Sequence, residues 1–166
     1  MACSCCTLKV RIIVAAVGIS AGIMAGLCFL FMYHNISTTV MAFISSVFAT
    51  LTLYLHLSYK KNWMIDWPQA KFKAIFYINS VLFVFAVAGM IYCLVYAGVN
   101  HQNLTHQGLQ GENLWMTAVW CFMTSKWTGM SAWSSRHYSM AITRPLAHSA
   151  PVPPVIKEKD IEAEYF

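Results

Sequence analysis

The chain has 166 residues, 58% of them hydrophobic and 10% charged, with a formal net charge of +5. A soluble domain carries about 25% charged residues, and one of this length has no interior large enough for so much apolar surface. The 11 Lys and Arg are spread between apolar runs, which excludes a nucleic-acid-binding face, and the six Cys do not form a secreted disulfide framework.

The apolar runs are about 20 residues long and lack strand alternation. Lipid offers the backbone no hydrogen bonds, so only helices and closed barrels cross it. The pattern therefore predicts an all-α membrane protein with four transmembrane helices. Residues 1–11 form a short tail whose Cys3, Cys5 and Cys6 are either palmitoylated beside the membrane or free thiols. The first span covers 12–33, too long for a signal-peptide core and without a clear cleavage site. Its Gly18, Gly22 and Gly26 make a small-residue stripe that lets helices approach closely, inside the monomer or between subunits. The second span covers 39–59, the third 74–97 and the fourth 114–135. The tail, 136–166, contains Pro145, Pro151, Pro153 and Pro154 and reads as disordered.

Basic residues orient the spans. Lys9 and Arg11 precede the first span. Lys60, Lys61, Lys71 and Lys73 lie between the second and third, and Arg136, Arg144, Lys157 and Lys159 follow the fourth. Residues 34–38 and 98–113 hold no Lys or Arg. Both termini and the middle loop are therefore expected in the cytosol. The two remaining loops face outside or an organelle lumen. Two glycosylation sequons, at Asn35 and Asn103, fall in these short loops, close to the membrane.

Several side chains stand out. Lys126 lies inside the fourth span, where a charge marks a pathway or a partner unless it snorkels to the surface. Helical spacing puts it on a stripe with Met130, Trp133 and His137. His56 lies toward the cytosolic end of the second span, on a stripe with Thr52, Tyr59, Lys60 and Trp63; it reads as a ligand or as a hydrogen-bonded core residue. His56 and Lys126 share the inner half of the membrane, so an imidazole, an ammonium and aromatics are expected to converge there. His34, His101 and His106 sit in the outer loops, either merely solvated or capturing a metal complex. No zinc-site spacing is present. Trp133 at the end of the last span, and Arg136, His137 and Tyr138 just past it, read as membrane anchors or as part of a site. One ligand calls for all these parts. Haem has an iron that takes His or Tyr axially, a flat macrocycle that stacks on aromatics, and two propionates that pair with Lys or Arg.

The stretch Val119-Trp120-Cys121-Phe122-Met123-Thr124-Ser125-Lys126-Trp127, followed by Arg136-His137-Tyr138, resembles the haem-responsive gene family of four-span haem importers. His101-Gln102-x-Leu104-Thr105, and Tyr54-Leu55-His56 with Tyr59 and Trp63, add to the likeness, which runs from the second span to Tyr138. The resemblance implies that His56 is an axial ligand of the haem iron in the second span, His101 one in the outer loop, and Arg136, His137 and Tyr138 a receiving motif. That motif usually opens with an aromatic; here Ser134 holds the place and Trp133 precedes it. His34 and His106 match no family position, although His106 stays a haem-binding candidate. Together these readings predict haem transport toward the cytosol, with haem as substrate rather than resident cofactor. The chain is expected to be no enzyme, and to work as a homo-oligomer because four thin helices leave little room for a macrocycle. A membrane redox protein needs a second His within the spans, and a structural four-span protein needs a long Cys-bearing outer loop; neither is present. The tail has no clear lysosomal sorting signal, which favours the plasma membrane over endosomes and lysosomes.

Overall fold

The computed structural model describes residues 4–105 and 111–149, with the course of the helix alone at 4–7 and 144–149. Four helices make up the described chain: α1 (Ser4–Phe31), α2 (Ile36–Lys60), α3 (Gln69–Val99) and α4 (Leu114–Ser149). Leu8–Phe31, Ile36–Lys60 and Gln69–Val99 are each long and apolar enough to cross a membrane. Among the described residues there is no strand. The chain is thus an all-α membrane protein.

α1 packs on α2, α2 on α4, and α4 on α3. The helices therefore form a row in the order α1, α2, α4, α3 rather than a closed ring. Burial follows from that order: 39% of the most apolar stretch of α2 is buried, against 17% in each flanking helix. α4 is less apolar because its inner side is made of small hydroxyls. Thr117, Thr124, Ser125, Thr128, Ser131, Ser134 and Ser135 are all buried. They meet a similar set on α2, where Thr38 joins Thr117 at 2.9 Å and Thr52 joins Ser131 at 2.8 Å. Both pairs are 79 residues apart, so the two helices run parallel and in register. This register carries α4 through the same layer as α2 despite its polarity. Small hydroxyls suit such a seam, because they let backbones approach and bond across it.

The glycine stripe of α1 is filled from within the monomer. A Cβ at Gly18 would meet Trp127, one at Gly22 would meet Ser46 and the Ala42 carbonyl, and one at Gly26 would meet Phe43. Intramolecular packing thus accounts for the whole stripe.

The end bearing the α1–α2 and α3–α4 turns, here the hairpin end, is closely tied. Asn35 caps α2, accepting from the Thr38 N–H at 2.9 Å, and its amide donates to the Asn113 carbonyl at 3.1 Å. Glu112 accepts from the N–H of Ile36 at 2.9 Å and of Ser37 at 3.3 Å. A carboxylate at a helix N-terminus satisfies free donors and complements the dipole. The Asn35 side chain is consequently sealed, while Asn103 is exposed. At the opposite, terminal end, Met64 tucks under the α2–α3 loop, and Trp67 lies between Tyr54 and the Lys71 ammonium, 3.5 Å from its ring.

The helices outrun the expected spans, and the expected tail needs correction over 136–149. α4 does not stop at Ser135 but continues to Ser149. The reason is packing: Tyr138 and Ile142 join a cluster with Leu55, Met64 and Phe72, and Ser139 and Thr143 bond Gln69 at 2.8 Å each. The expected disorder of 150–166 lies outside the described residues, as do the side chains of Cys3, Cys5 and Cys6.

Candidate functional site

His56 sits one turn before the end of α2 with no solvent exposure. Its Nδ1 hydrogen bonds the Tyr138 hydroxyl at 2.8 Å, and the two rings meet edge-on. Tyr59, three residues on, stacks on Tyr138 with ring centroids 4.0 Å apart and planes 9° apart. Arg11 of α1 stands beside the Tyr138 hydroxyl, so three helices meet here. The Nε2 of His56 is buried without a partner. Leaving such a group unsatisfied costs about 1–3 kcal/mol. His56 and Tyr59 share a helix face, as their spacing predicts, and Tyr138, expected in a separate receiving motif, joins them. Trp63 is not with them; it lies exposed under the Lys61 ammonium.

The residues around Tyr138 divide by face. Ser134 is buried, while Trp133 is 70% exposed on the outer side of α4. Trp133, Arg136, His137 and Met140 follow helical i, i+3, i+4, i+7 spacing. With Phe76 of α3 they line a cavity of about 470 Å³. The Arg136 guanidinium lies 6.0 Å from the Phe76 ring centre. Next to it, Lys73 and Tyr77 of α3 help line a second cavity of about 340 Å³. The sequence reading missed Arg11 and the α3 residues. Lys73, Phe76 and Tyr77 share one helical face by spacing, and that was the available signal.

Lys126 does not converge with His56. By the 79-residue register it lies level with position 47 of α2, the middle of that helix, and about 13 Å along the axis from His56. Its side chain is exposed on the outside of α4, with Nζ 4.7 Å from the Trp127 ring, beside an apolar groove of about 260 Å³ between α1 and α4. A Lys at a helix centre costs about 2.5–3.5 kcal/mol on insertion scales, and its stem cannot reach either surface from mid-bilayer. The acids Asp66 and Glu112 lie in loops at opposite ends of the bundle's height.

His101 is at the hairpin end, exposed, with a left-handed φ of 50° just past α3. His34 is similarly exposed in the other turn, with φ 52°. His101 and His56 are separated by most of the bundle's height, since 20 residues of α2 span about 30 Å. His106 lies outside the described residues. Among the described residues, no three His, Cys, Asp or Glu gather as a metal site. A metal arriving inside its own macrocycle needs only one or two protein ligands.

Aromatic, basic and imidazole groups thus stand at separate heights of an all-helical membrane protein, an arrangement that suits a small polytopic carrier. Comparison with known proteins makes this specific. A family profile described as "Haem-transporter, endosomal/lysosomal, haem-responsive gene" matches residues 73–127. "Heme transporter hrg-1" of Caenorhabditis elegans is 44% identical over 154 residues, covering 89% of this chain and 79% of that one. "Heme transporter hrg-4" of the same organism is 32% identical over 149 residues, covering 80% and 81%. "Heme transporter hrg-6" is 30% identical over 144 residues, covering 87% and 89%. No solved structure matches. The chain belongs to the haem-responsive gene family of haem transporters.

Proposed function

We propose that this protein carries haem across a membrane, from the side of its hairpin end to the side of its termini. The observation that carries the reading is the likeness, over 89% of the chain, to a relative named as a haem transporter. The placement of side chains supports it. His101 is exposed where haem would arrive, and Arg136 and His137 line a cavity of about 470 Å³ at the opposite end. His56 keeps one ring nitrogen unpartnered, the kind of atom an iron takes, and Tyr59 and Tyr138 supply aromatic faces beside it. Because that nitrogen is sealed, ligation at His56 requires the side chains packed around it to move aside. Haem is the substrate and not a resident group. The direction of transport rests on the Lys and Arg bias, which puts the termini in the cytosol. The family description names endosomal and lysosomal membranes, and that favours an organelle over the plasma membrane that the tail suggests.

The test is growth of a haem-deficient cell expressing this chain at low external haem. Rescue is expected, together with uptake of haem into liposomes that contain the purified protein. Correctly inserted protein that moves no haem in either assay would sink the reading.

A further inference from the structure

The sequence reading leaves open where the macrocycle travels, and a row of four helices has no lumen. The α2–α4 seam is closed by direct hydroxyl contacts along its length, so His56, at the terminal end of that seam, meets haem only after the macrocycle has crossed by another route. The outer surface of α4 is different. Val119, Phe122, Lys126, Trp133, His137 and Met140 follow one another at spacings of three, four, seven, four and three, so they lie on one stripe. All six are exposed. The stripe is dished at both ends. Val119 and Phe122 line an apolar cavity of about 270 Å³ at the hairpin end, and Trp133, His137 and Met140 line the 470 Å³ cavity at the terminal end. Lys126 stands between them at mid-height.

We infer that haem crosses along this lipid-facing stripe, its macrocycle in the bilayer against α4 and its carboxylates passing from Lys126 to Arg136. The inference rests on the transport reading above and adds its path. Charge complementarity selects the occupant. The stripe presents one cation at mid-membrane with no acid in any helix to pair with it, and aromatic or sulfur-bearing side chains on either side. A flat apolar ring carrying carboxylates matches that order of groups, and the lipid accommodates the ring's outer face. Phe122 lies one turn before Lys126, so an acid placed there pairs with the ammonium and removes it from the path.

Two measurements on the full chain in liposomes test this. The first is haem uptake by Phe122→Glu and by the uncharged control Phe122→Gln. The Glu variant is expected to lose uptake by about tenfold relative to the Gln variant, as for one charge-assisted contact. The second places a fluorescent non-natural residue at position 119 or at position 91. Gly89 faces Cys121 across α3–α4, so the two positions lie at about the same height, but Ile91 is exposed on α3 at the edge of the row. Added haemin is expected to quench position 119 severalfold more than position 91. Equal uptake by the two Phe122 variants, or equal quenching, overturns the path while the parent still transports. A fall in particle mass in Phe122→Glu alone would assign the stripe to a second copy, and also overturns it. A parent chain that moves no haem fails the transport reading instead.

Discussion

His56 and Lys126 are the two residues whose placement conflicts most with simple packing. One is a buried imidazole with a free nitrogen, the other a mid-height cation with no acid in the described helices. For His56, replacement by Ala removes the nitrogen and frees Tyr138 from its 2.8 Å partner. We expect His56→Ala to abolish haem uptake, whereas Tyr138→Phe, which leaves the imidazole in place, keeps part of it. Uptake and the visible absorption of bound haem, measured on both variants, separate ligation from packing. Equal losses with no change in the spectrum would make His56 a core residue. For Lys126, the Met variant removes a charge that costs about 2.5–3.5 kcal/mol to insert, so thermal stability should hold or rise while haem uptake falls. Lys126→Arg keeps the charge with different geometry and should keep part of the uptake. A Met variant that transports at the parent rate would take Lys126 out of the mechanism.

At the scale of helices, the seam between α1 and α2 rests on a backbone approach that only a missing side chain permits. A Cβ at Gly22 meets both the Ser46 hydroxyl and the Ala42 backbone, and backbone cannot step aside. Gly22→Leu should therefore destabilise the fold by about 1–3 kcal/mol through overpacking, read as a lower unfolding temperature in detergent. Gly98→Leu has open space around it and should change stability far less. The existence and rough extent of the helices were legible in the sequence because long apolar runs have one solution in lipid. Their order was not. A membrane helix can be as apolar toward its neighbours as toward lipid, so apolar periodicity does not mark its inner face, and only the small hydroxyls of α2 and α4 carried that signal. That is why Lys126, counted as interior by depth, proved to face outward. That His56 and Tyr59 share a face was legible from spacing, and Tyr138 from the family resemblance as part of a separate motif, but their meeting was not, and Arg11 joins them from a distant helix that no local spacing reveals. The continuation of α4 past Ser135 was also hidden. Its polar composition resembles a tail until Tyr138 and Ile142 are seen packing on Leu55, Met64 and Phe72.

The whole molecule is polarised from end to end, and its orientation decides what every station can do. Ten of the eleven cations lie at the terminal end or in the tails beyond it; Lys126 is the exception. The hairpin end has no Lys or Arg, and the acid Glu112 is built into the α2 N-terminus there. Lys and Arg resist translocation, so the terminal end should stay in the cytosol and the hairpin end should face outside or an organelle lumen. The test is an epitope in each place. Insertion after Gly108 avoids Gln102, whose side chain accepts from the Leu114 N–H at 2.8 Å, and Gly111 and Glu112, which tie the loop to the α1–α2 turn. That epitope should be protected in sealed organelles and exposed when their membranes are opened, or be reached directly on intact cells if the protein is at the surface. An epitope after Phe166 should respond to cytosolic antibody or protease alone. If the tag after Phe166 shares a compartment with the one after Gly108, α4 does not cross. If the two tags simply exchange places, haem would meet Arg136 and His137 before His101, and the proposed direction of transport would reverse.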